Sequence, residues 1–307
     1  MDGIVGSRPA LRAAVDGVLR VWPAHDRFLA SSLAAHDVDD LDDLERLAAD
    51  VLAVAGGDRD TCCADYVWMC EVFRDEALHF ARTGAYRCLS ADQARREVYD
   101  DSAFMARYMR GALLSQVLWA NHAQAALFFT RAFVAMLPVG CRYLEVGAGH
   151  GLFLARVARE VEGARITAWD VSAAGRQATS RALRALGVEP RVDLVARDAA
   201  RPADDDACFD AITVSEVLEH LDDPVAVLAS LRERLVPGGC VFVNLPINSP
   251  APDHVFLART PGEAEAVVTA AGLEVRQRAL FPMTGYTLER ALRDAATVSC
   301  VYVATRA

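Results

Sequence analysis

The chain has 307 residues, of which 53% are hydrophobic and 24% are charged, and its formal net charge is −10. Because 42 acidic residues outnumber 32 basic ones, the composition argues against a general nucleic-acid-binding protein. No apolar run approaches the roughly 20 residues of a membrane span, and the N-terminus has no signal-peptide core. We therefore expect a cytoplasmic protein that does not bind membranes, with about two domains at about 150 residues each.

Residues 1–135 have the pattern of an all-helical N-terminal domain. Apolar residues keep a helical period from Leu41 to Leu52 and again from Tyr66 to Phe80, and glycines end both segments. A longer apolar and aromatic stretch covers residues 102–137 as one helical region. It holds more aromatic side chains than one helix can bury on a single sheet, so we predict a homodimer or a tightly docked helical lid.

Several polar or amphipathic side chains interrupt this apolar stretch. Each of them either packs at an interface and in the core, or lines the active site, and the sequence leaves both interpretations open. These residues are Tyr108, Gln116, Trp119, Asn121 and His122.

A strand, a glycine-rich turn and a helix follow at residues 141–161. Gly147, Gly149 and Gly151 alternate directly after the short apolar strand, and Glu145 lies at the end of that strand. Glycines allow positive φ and a close approach of a ligand to the backbone, where the N–H groups of a helix start face the ligand. The spacing differs from the dinucleotide fingerprint, and the turn lacks the lysine of a phosphate-binding loop.

This turn resembles motif I of the class I S-adenosylmethionine (SAM) methyltransferases, (D/E)-x-G-x-G-x-G. Asp170, at the end of the second strand and about 20 residues farther along, is placed to accept hydrogen bonds from both ribose hydroxyls. The resemblance further implies an adenine contact at Asp198 and Ala199. The predicted cofactor-binding residues are Glu145, Gly147, Ala148, Gly149, Gly151, Asp170, Val171, Asp198, Ala199, Ser215 and Glu216.

The alternation of strands and helices continues to the end of the chain. It resembles the whole class I methyltransferase domain and predicts an α/β fold over residues 136–307. The expected architecture is a seven-stranded, mostly parallel Rossmann-like sheet with helices on both faces. Within it, residues 203–206 are predicted to form a surface turn. The helix that follows Asp223-Pro224 is predicted to include Leu235 and to stop at Pro237-Gly238-Gly239.

Two interpretations of the catalytic chemistry remain open. In the first, His220 is the general base and Glu219 assists it, since an unperturbed imidazole pKa of about 6.5 suits proton removal at neutral pH. In the second, Glu216, Glu219, His220 and His254 hold Mg²⁺, Mn²⁺ or Fe²⁺. A similar E-x-x-E-H is seen in ubiquinone-type O-methyltransferases and small-RNA 2′-O-methyltransferases, where it is associated with a metal. It also occurs in metal-free relatives.

The resemblance implies a SAM-dependent methyltransferase that acts on an O, N or C nucleophile of a small metabolite, in keeping with secondary metabolism. Two alternatives remain. SAM could react in another way, for instance by cyclisation of its aminobutyrate arm. The chain could also be a SAM-binding module without turnover, although such a module has no need of a candidate base.

Overall fold

A computed structural model describes residues 5–201 and 208–306. The surface turn predicted at residues 203–206 lies outside these ranges. Among the described residues, none of the helices combines the length and the apolar character that crossing a bilayer requires.

The described chain before residue 137 is mostly helical, because apolar residues recur there every three or four positions and pack against one another. The helices Pro9–Val21 and Asp26–Leu33 lie within the region predicted to be all-helical, although the sequence analysis gave no bounds for them. One π-helical turn, Arg95–Tyr99, follows the helix that ends at Ala94, and another, Phe129–Phe133, follows the helix that ends at Phe128. The helices are α1 Pro9–Val21, α2 Asp26–Leu33, α3 Val38–Ala55, α4 Arg59–Thr83, α5 Ala91–Ala94, α6 Ser102–Leu118 and α7 Ala120–Phe128.

The apolar stretch predicted as one helical region over residues 102–137 is broken at Trp119. This residue has an extended backbone with φ −107° and ψ 125°. Its indole Nε1 donates to the Tyr66 hydroxyl at 3.0 Å, and the next backbone N–H, of Ala120, donates to Thr284 Oγ1 at 2.9 Å. The Ala120 N–H thus has a tertiary partner in place of a helical one, whereas the Trp119 N–H still donates to the Ser115 carbonyl oxygen at 3.0 Å. Helical periodicity alone cannot reveal this tertiary partner.

The C-terminal part contains a seven-stranded sheet of order β3-β2-β1-β4-β5-β7-β6, in which only the pairs made by β7 are antiparallel. This confirms the predicted α/β fold class and the mostly parallel sheet with helices. The strands are β1 Arg142–Val146, β2 Arg165–Asp170, β3 Val192–Ala196, β4 Phe209–Ser215, β5 Leu235–Ile247, β6 Leu273–Pro282 and β7 Val298–Arg306. The helices are α8 Leu152–Glu160, α9 Ala173–Ala185, α10 Pro224–Glu233, α11 Pro261–Ala270 and α12 Leu288–Arg293.

The start of β5 differs from the prediction. Helix α10 ends at Glu233, and Leu235 already pairs with Phe209 of β4. The register then shifts, so that Ala211 pairs with Cys240 and the Pro-Gly-Gly segment lies within an irregular strand. A β-bulge absorbs the residues that were predicted to stop the helix. Helix α12, between β6 and β7, was also not predicted.

An aromatic cluster joins the helical part to the sheet. Phe129 stacks on Phe153 of α8 with ring centroids 4.1 Å apart, and meets Phe242 of β5 edge-on at 5.0 Å. Phe133 also contacts Phe242, at 5.6 Å. These rings are buried within one chain, which supports the docked lid of the two predicted arrangements. The homodimer stays a prediction.

Helix α6, which carries two of the candidate active-site side chains, begins at an aspartate cap. Asp101 Oδ1 accepts from the backbone N–H groups of Ala103 and Phe104, both at 3.0 Å. We expect Asp101→Ala to lower the free energy of unfolding by about 1 kcal/mol, because two helix-end donors lose their partner. Urea titration would measure this change, with Ser102→Ala at the next exposed position as the control. An unchanged urea midpoint for Asp101→Ala would mean that this cap does not contribute to the free energy of unfolding.

Candidate active site

The glycine loop between β1 and α8 has the backbone shape that the sequence predicted. Gly147, Gly149 and Gly151 have φ values of +69°, +48° and +70°, in the left-handed region that L side chains rarely adopt. A Cβ at Gly147 would lie 2.7 Å from Val217 Cγ2, so this position accepts only glycine without a shift of its neighbour. Gly147 is exposed, whereas Ala148 is 3% exposed and offers a ligand mainly its backbone. The loop therefore presents open backbone at the carboxyl end of β1.

Glu145 is farther from the ligand-facing surface than its place in the motif suggests. Its side chain lies within the sheet, and the residue is only 4% exposed. The Tyr143 hydroxyl oxygen lies 3.1 Å from Glu145 Oε2 and 2.8 Å from Thr213 Oγ1. Burial raises the pKa of Glu145 to about 8. A contact of this carboxyl with the cofactor stays a prediction.

The shifted pKa of Glu145 makes stability depend on pH. The folded protein keeps this proton up to about pH 8, whereas the unfolded chain releases it near the ordinary value of 4.5. The unfolded state then binds fewer protons, so this group makes the free energy of unfolding fall as pH rises from 4.5 to about 8. We expect Glu145→Gln to show a smaller fall than the wild type over this range in calorimetric scans. Parallel curves for the two proteins would contradict the assignment.

Asp170 ends β2 beside the glycine loop. Its Oδ1 accepts from the Ser172 backbone N–H at 2.7 Å, while its Oδ2 has no hydrogen-bond partner among residues 5–201 and 208–306. Burial raises the pKa of this carboxyl, and the Ser172 hydrogen bond and Arg176 oppose the rise. The following residue, Val171, is 72% exposed. The carboxylate thus lies at the loop edge of the sheet, with its Oδ2 2.5 Å from the position that a Cβ on Gly175 of α9 would take.

Asp198 lies in the turn after β3. Its Oδ1 accepts from the Ala200 backbone N–H at 2.9 Å, and its Oδ2 pairs with Arg201 Nε at 3.2 Å. Ala199 is partly exposed and packs against the sheet core. The carboxylate already has partners, so its predicted contact with an adenine amine stays a prediction.

The backbone is strained where β4 ends. Glu216 has φ +52°, which is uncommon for a residue with a side chain. Strained residues of this kind cluster at functional sites. Asn244 Nδ2 donates to Glu216 Oε1 at 2.8 Å and to Ser215 Oγ at 3.4 Å. The neighbouring strand β5 therefore holds both predicted residues after β4 in place.

Glu219, His220 and His254 converge just beyond this turn. One ligating atom from each residue lies within 4.8 Å of the others. Glu219 Oε1 is 3.9 Å from His220 Nε2 and 3.9 Å from His254 Nε2. Glu219 is fully buried, and neither carboxylate oxygen has a hydrogen-bond partner in the part of the chain that the structure describes.

The hydrogen bonds around this cluster fix its proton positions. His254 Nδ1 is 2.6 Å from the Ser249 carbonyl oxygen, so it must carry the hydrogen and leave Nε2 with a lone pair. His220 Nδ1 lies 3.1 Å from the Asp253 carbonyl oxygen, which implies the same tautomer. Two imidazole lone pairs and a carboxylate without a partner therefore face one small space. Such a group of acceptors needs a proton or a cation among them.

The pKa shifts agree with this geometry. Burial raises the pKa of Glu219 well above its ordinary value, and the Glu216 carboxylate raises it further. Burial, with His220 as the next cause, lowers the pKa of His254 to about 3. Without a cation, one proton would be held by the two glutamates and the imidazole of His254 would be neutral.

Tyr99 and Asp253 belong to this cluster, although the sequence analysis did not select them. The Tyr99 hydroxyl lies 2.9 Å from Asp253 Oδ2 and 3.1 Å from His220 Nδ1. Tyr108 donates to Asp253 Oδ1 at 3.4 Å. The only sequence feature that could have pointed to Asp253 is its position next to the candidate His254. Tyr99 had no signal, because it is 121 residues from His220 in the sequence.

The five side chains left open in the helical region have different roles. Tyr108 reaches the cluster, whereas Trp119 and Asn121 bond the Tyr66 hydroxyl and Ser299 Oγ in the core. His122 Nδ1 is 3.0 Å from Ser115 Oγ and 3.5 Å from Gln116 Nε2. Burial lowers the pKa of His122 to about 4.

Comparison with known proteins places this site in a family context. Residues 144–241 match the family described as "Methyltransferase domain". A ubiquinone biosynthesis O-methyltransferase of Xanthomonas axonopodis pv. citri (strain 306) is 37% identical over 116 residues, which cover 37% of this chain and 46% of that protein. The corresponding enzyme of Xylella fastidiosa (strain 9a5c) is 36% identical over 108 residues, covering 34% of this chain and 42% of that protein. The match thus spans less than half the length of these relatives.

Solved structures support the fold over a longer part of the chain. The mitomycin 7-O-methyltransferase MmcR aligns with a TM-score of 0.55 and 17% identity, covering 81% of this chain and 71% of its own. The O-methyltransferase NcsB1 from neocarzinostatin biosynthesis aligns with a TM-score of 0.55 and 19% identity, covering 79% of this chain and 70% of its own. At these identities the alignments show a shared fold.

Proposed function

We propose that this chain is a class I, SAM-dependent methyltransferase that transfers the methyl group of SAM to a small molecule, in keeping with the match of residues 144–241 to a methyltransferase domain. The observation that carries the proposal is the left-handed glycine loop, exposed at Gly147, beside the Asp170 carboxylate. In open α/β sheets, ligands bind beyond the carboxyl ends of the strands, where both features lie. We propose an oxygen nucleophile in particular, because the curated relatives are named O-methyltransferases.

The residues at this edge fit SAM. The loop offers backbone rather than a basic side chain, which suits a ligand without phosphate groups. His150 in the loop has its pKa lowered to about 4 by burial, so it is neutral and does not repel a sulfonium. SAM, when bound, supplies a methyl group that is already activated. The chain then has to hold an acceptor in line with it and receive the acceptor's proton.

The helical region supports a small acceptor. Met109 Cε lies 3.6 Å from the position that a Cβ on Gly149 would take, while the adjacent Tyr108 contacts Asp253. Helix α6 therefore covers both the cofactor loop and the histidine cluster. A loop and a cluster that one helix covers in this way suit a metabolite better than a polymer. The division into a helical lid over 1–135 and a SAM domain over 136–307, the homodimer and the cytoplasmic location are part of the same proposal.

We further propose that Glu219, His220 and His254, with Glu216 beside them, hold a divalent cation. The buried carboxylate without a hydrogen-bond partner, facing two imidazole lone pairs, is the observation that favours it. Mixed carboxylate and imidazole donors suit Mg²⁺, Mn²⁺ or Fe²⁺. Such a cation would supply Lewis acidity towards an acceptor oxygen. If the cluster works without one, His220 Nε2 has the lone pair that a general base needs.

Product analysis tests the main proposal. The protein is incubated with SAM and a panel of hydroxylated small molecules, and the nucleoside products are separated. Formation of S-adenosylhomocysteine with a methylated acceptor would support methyl transfer. Methylthioadenosine would indicate cyclisation of the aminobutyrate arm instead. SAM binding in calorimetry without either product would indicate a binding module, and the absence of binding would contradict the cofactor itself.

A further inference from the structure

The N-terminal helical region reaches the histidine cluster through Tyr99. This residue ends the π-helical turn Arg95–Tyr99, a rare geometry that occurs often at functional sites. Its hydroxyl lies 2.9 Å from Asp253 Oδ2 and 3.1 Å from His220 Nδ1. The side chain is partly buried, and a phenol carries its proton at neutral pH because its ordinary pKa is about 10.

The single hydrogen of this phenol determines the direction of both contacts. Asp253 has its carboxylate oxygens there as acceptors, so the Tyr99 O–H donates to Oδ2. The phenol oxygen can then only accept from His220, whose Nδ1 must carry a hydrogen. The Asp253 carbonyl oxygen at 3.1 Å is a second acceptor for that hydrogen. His220 is thereby fixed in the tautomer whose Nε2 lone pair faces Glu219, 3.9 Å away.

Other contacts attach the same segment to the same loops. The Tyr86 hydroxyl accepts from the Ser249 backbone N–H at 2.9 Å, and Cys88 Sγ lies 3.2 Å from the Pro252 carbonyl oxygen. The Ala91 backbone N–H donates to Asp222 Oδ1 at 2.8 Å. Residues 86–99 therefore contact the chain on both sides of the cluster, after His220 and before His254.

We infer that Tyr99 is a positioning residue that sets the tautomer and orientation of His220 for cation binding, so that docking of residues 86–99 and cation binding depend on each other. This inference rests on the proposed cation site. Outer groups that orient a metal-ligating histidine typically change metal affinity by about 10–100-fold when they are removed. The coupling is reciprocal, because each event stabilises the arrangement that the other requires.

The test uses the full chain, Mn²⁺ as the probe, and Tyr99→Phe, which removes only the hydroxyl. We expect Mn²⁺ affinity, measured by electron paramagnetic resonance, to fall by about 10-fold or more. Hydrogen exchange of the wild type should show that Mn²⁺ protects residues 86–99, and this protection should shrink in the variant. Tyr302→Phe is the matched control, because the Tyr302 phenol donates one hydrogen bond to the Pro261 carbonyl oxygen at 3.1 Å.

The outcomes separate this inference from the proposals beneath it. Unchanged Mn²⁺ affinity in Tyr99→Phe would overturn the positioning role while leaving the cation site intact. A wild type that binds SAM but not Mn²⁺ would overturn both the positioning role and the cation site, and would leave methyl transfer standing. If Tyr99→Phe does not fold, the wild-type exchange experiment decides alone, and absence of Mn²⁺ protection at residues 86–99 overturns the coupling.

Discussion

His220→Ala is expected to lower kcat by about 10²–10⁴-fold while SAM still binds. The loss follows whether His220 accepts the acceptor's proton or holds a cation, because its Nε2 lone pair faces the cluster in both cases. Turnover would be followed by S-adenosylhomocysteine release, and SAM binding by calorimetry. His79→Ala, on helix α4, is the control for the loss of an imidazole elsewhere in the chain.

EDTA treatment and the His254→Ala variant distinguish a cation-binding role of His220 from a role as general base. With a cation, EDTA should abolish turnover, Mg²⁺, Mn²⁺ or Fe²⁺ should restore it, and His254→Ala should be as damaging as His220→Ala. With a plain base, EDTA should have no effect on turnover. A fully active His220→Ala protein that is insensitive to EDTA would exclude both, and leave positioning of the acceptor as the mechanism.

Asp170→Ala is expected to weaken SAM binding by about 2–3 kcal/mol, or roughly 30–150-fold, through loss of charge-assisted hydrogen bonds to the ribose. Calorimetric titration with SAM measures the change. The carboxylate also accepts from the Ser172 backbone N–H at 2.7 Å, so the substitution disturbs the start of α9 as well.

Ser172→Ala controls for that disturbance. The Ser172 hydroxyl caps the same helix by accepting from the Gly175 backbone N–H at 3.1 Å, but it is not expected to contact the ribose. We expect Ser172→Ala to bind SAM much more tightly than Asp170→Ala does. Equal affinities in the two variants would attribute the loss to the helix start, and wild-type affinity in Asp170→Ala would contradict the cofactor assignment.

The sequence predicted the features that depend on neighbouring residues. The strand, glycine loop and helix around Gly147 are specified within about twenty positions, and alternation of the later elements predicted the sheet. The break at Trp119 and the bulge after Leu235 could not be predicted, because partners distant in sequence decide them. Trp119 donates a hydrogen bond to Tyr66, 53 residues away, and Leu235 pairs with Phe209 of the neighbouring strand.

The same distinction holds within the site. His220 and Glu219 were selected because their residue types and spacing have chemical meaning. Tyr99 has an ordinary phenol side chain, and its importance appears only when the fold brings it to Asp253, 154 residues later. Glu145 was selected from the motif, but the structure shows it buried beside Tyr143. A sequence pattern gives the residue type and not the burial of its side chain.

The left-handed backbone at Glu216 has a consequence for how this chain can change. Selection for stability alone would favour glycine or asparagine there, because either adopts positive φ more readily. Keeping a glutamate instead gives up conformational stability for a carboxylate beside the cluster. Engineering that ranks substitutions by folding energy would therefore replace Glu216 early and remove its carboxylate. Glu216 should be kept unchanged in any effort to make the protein more heat-resistant.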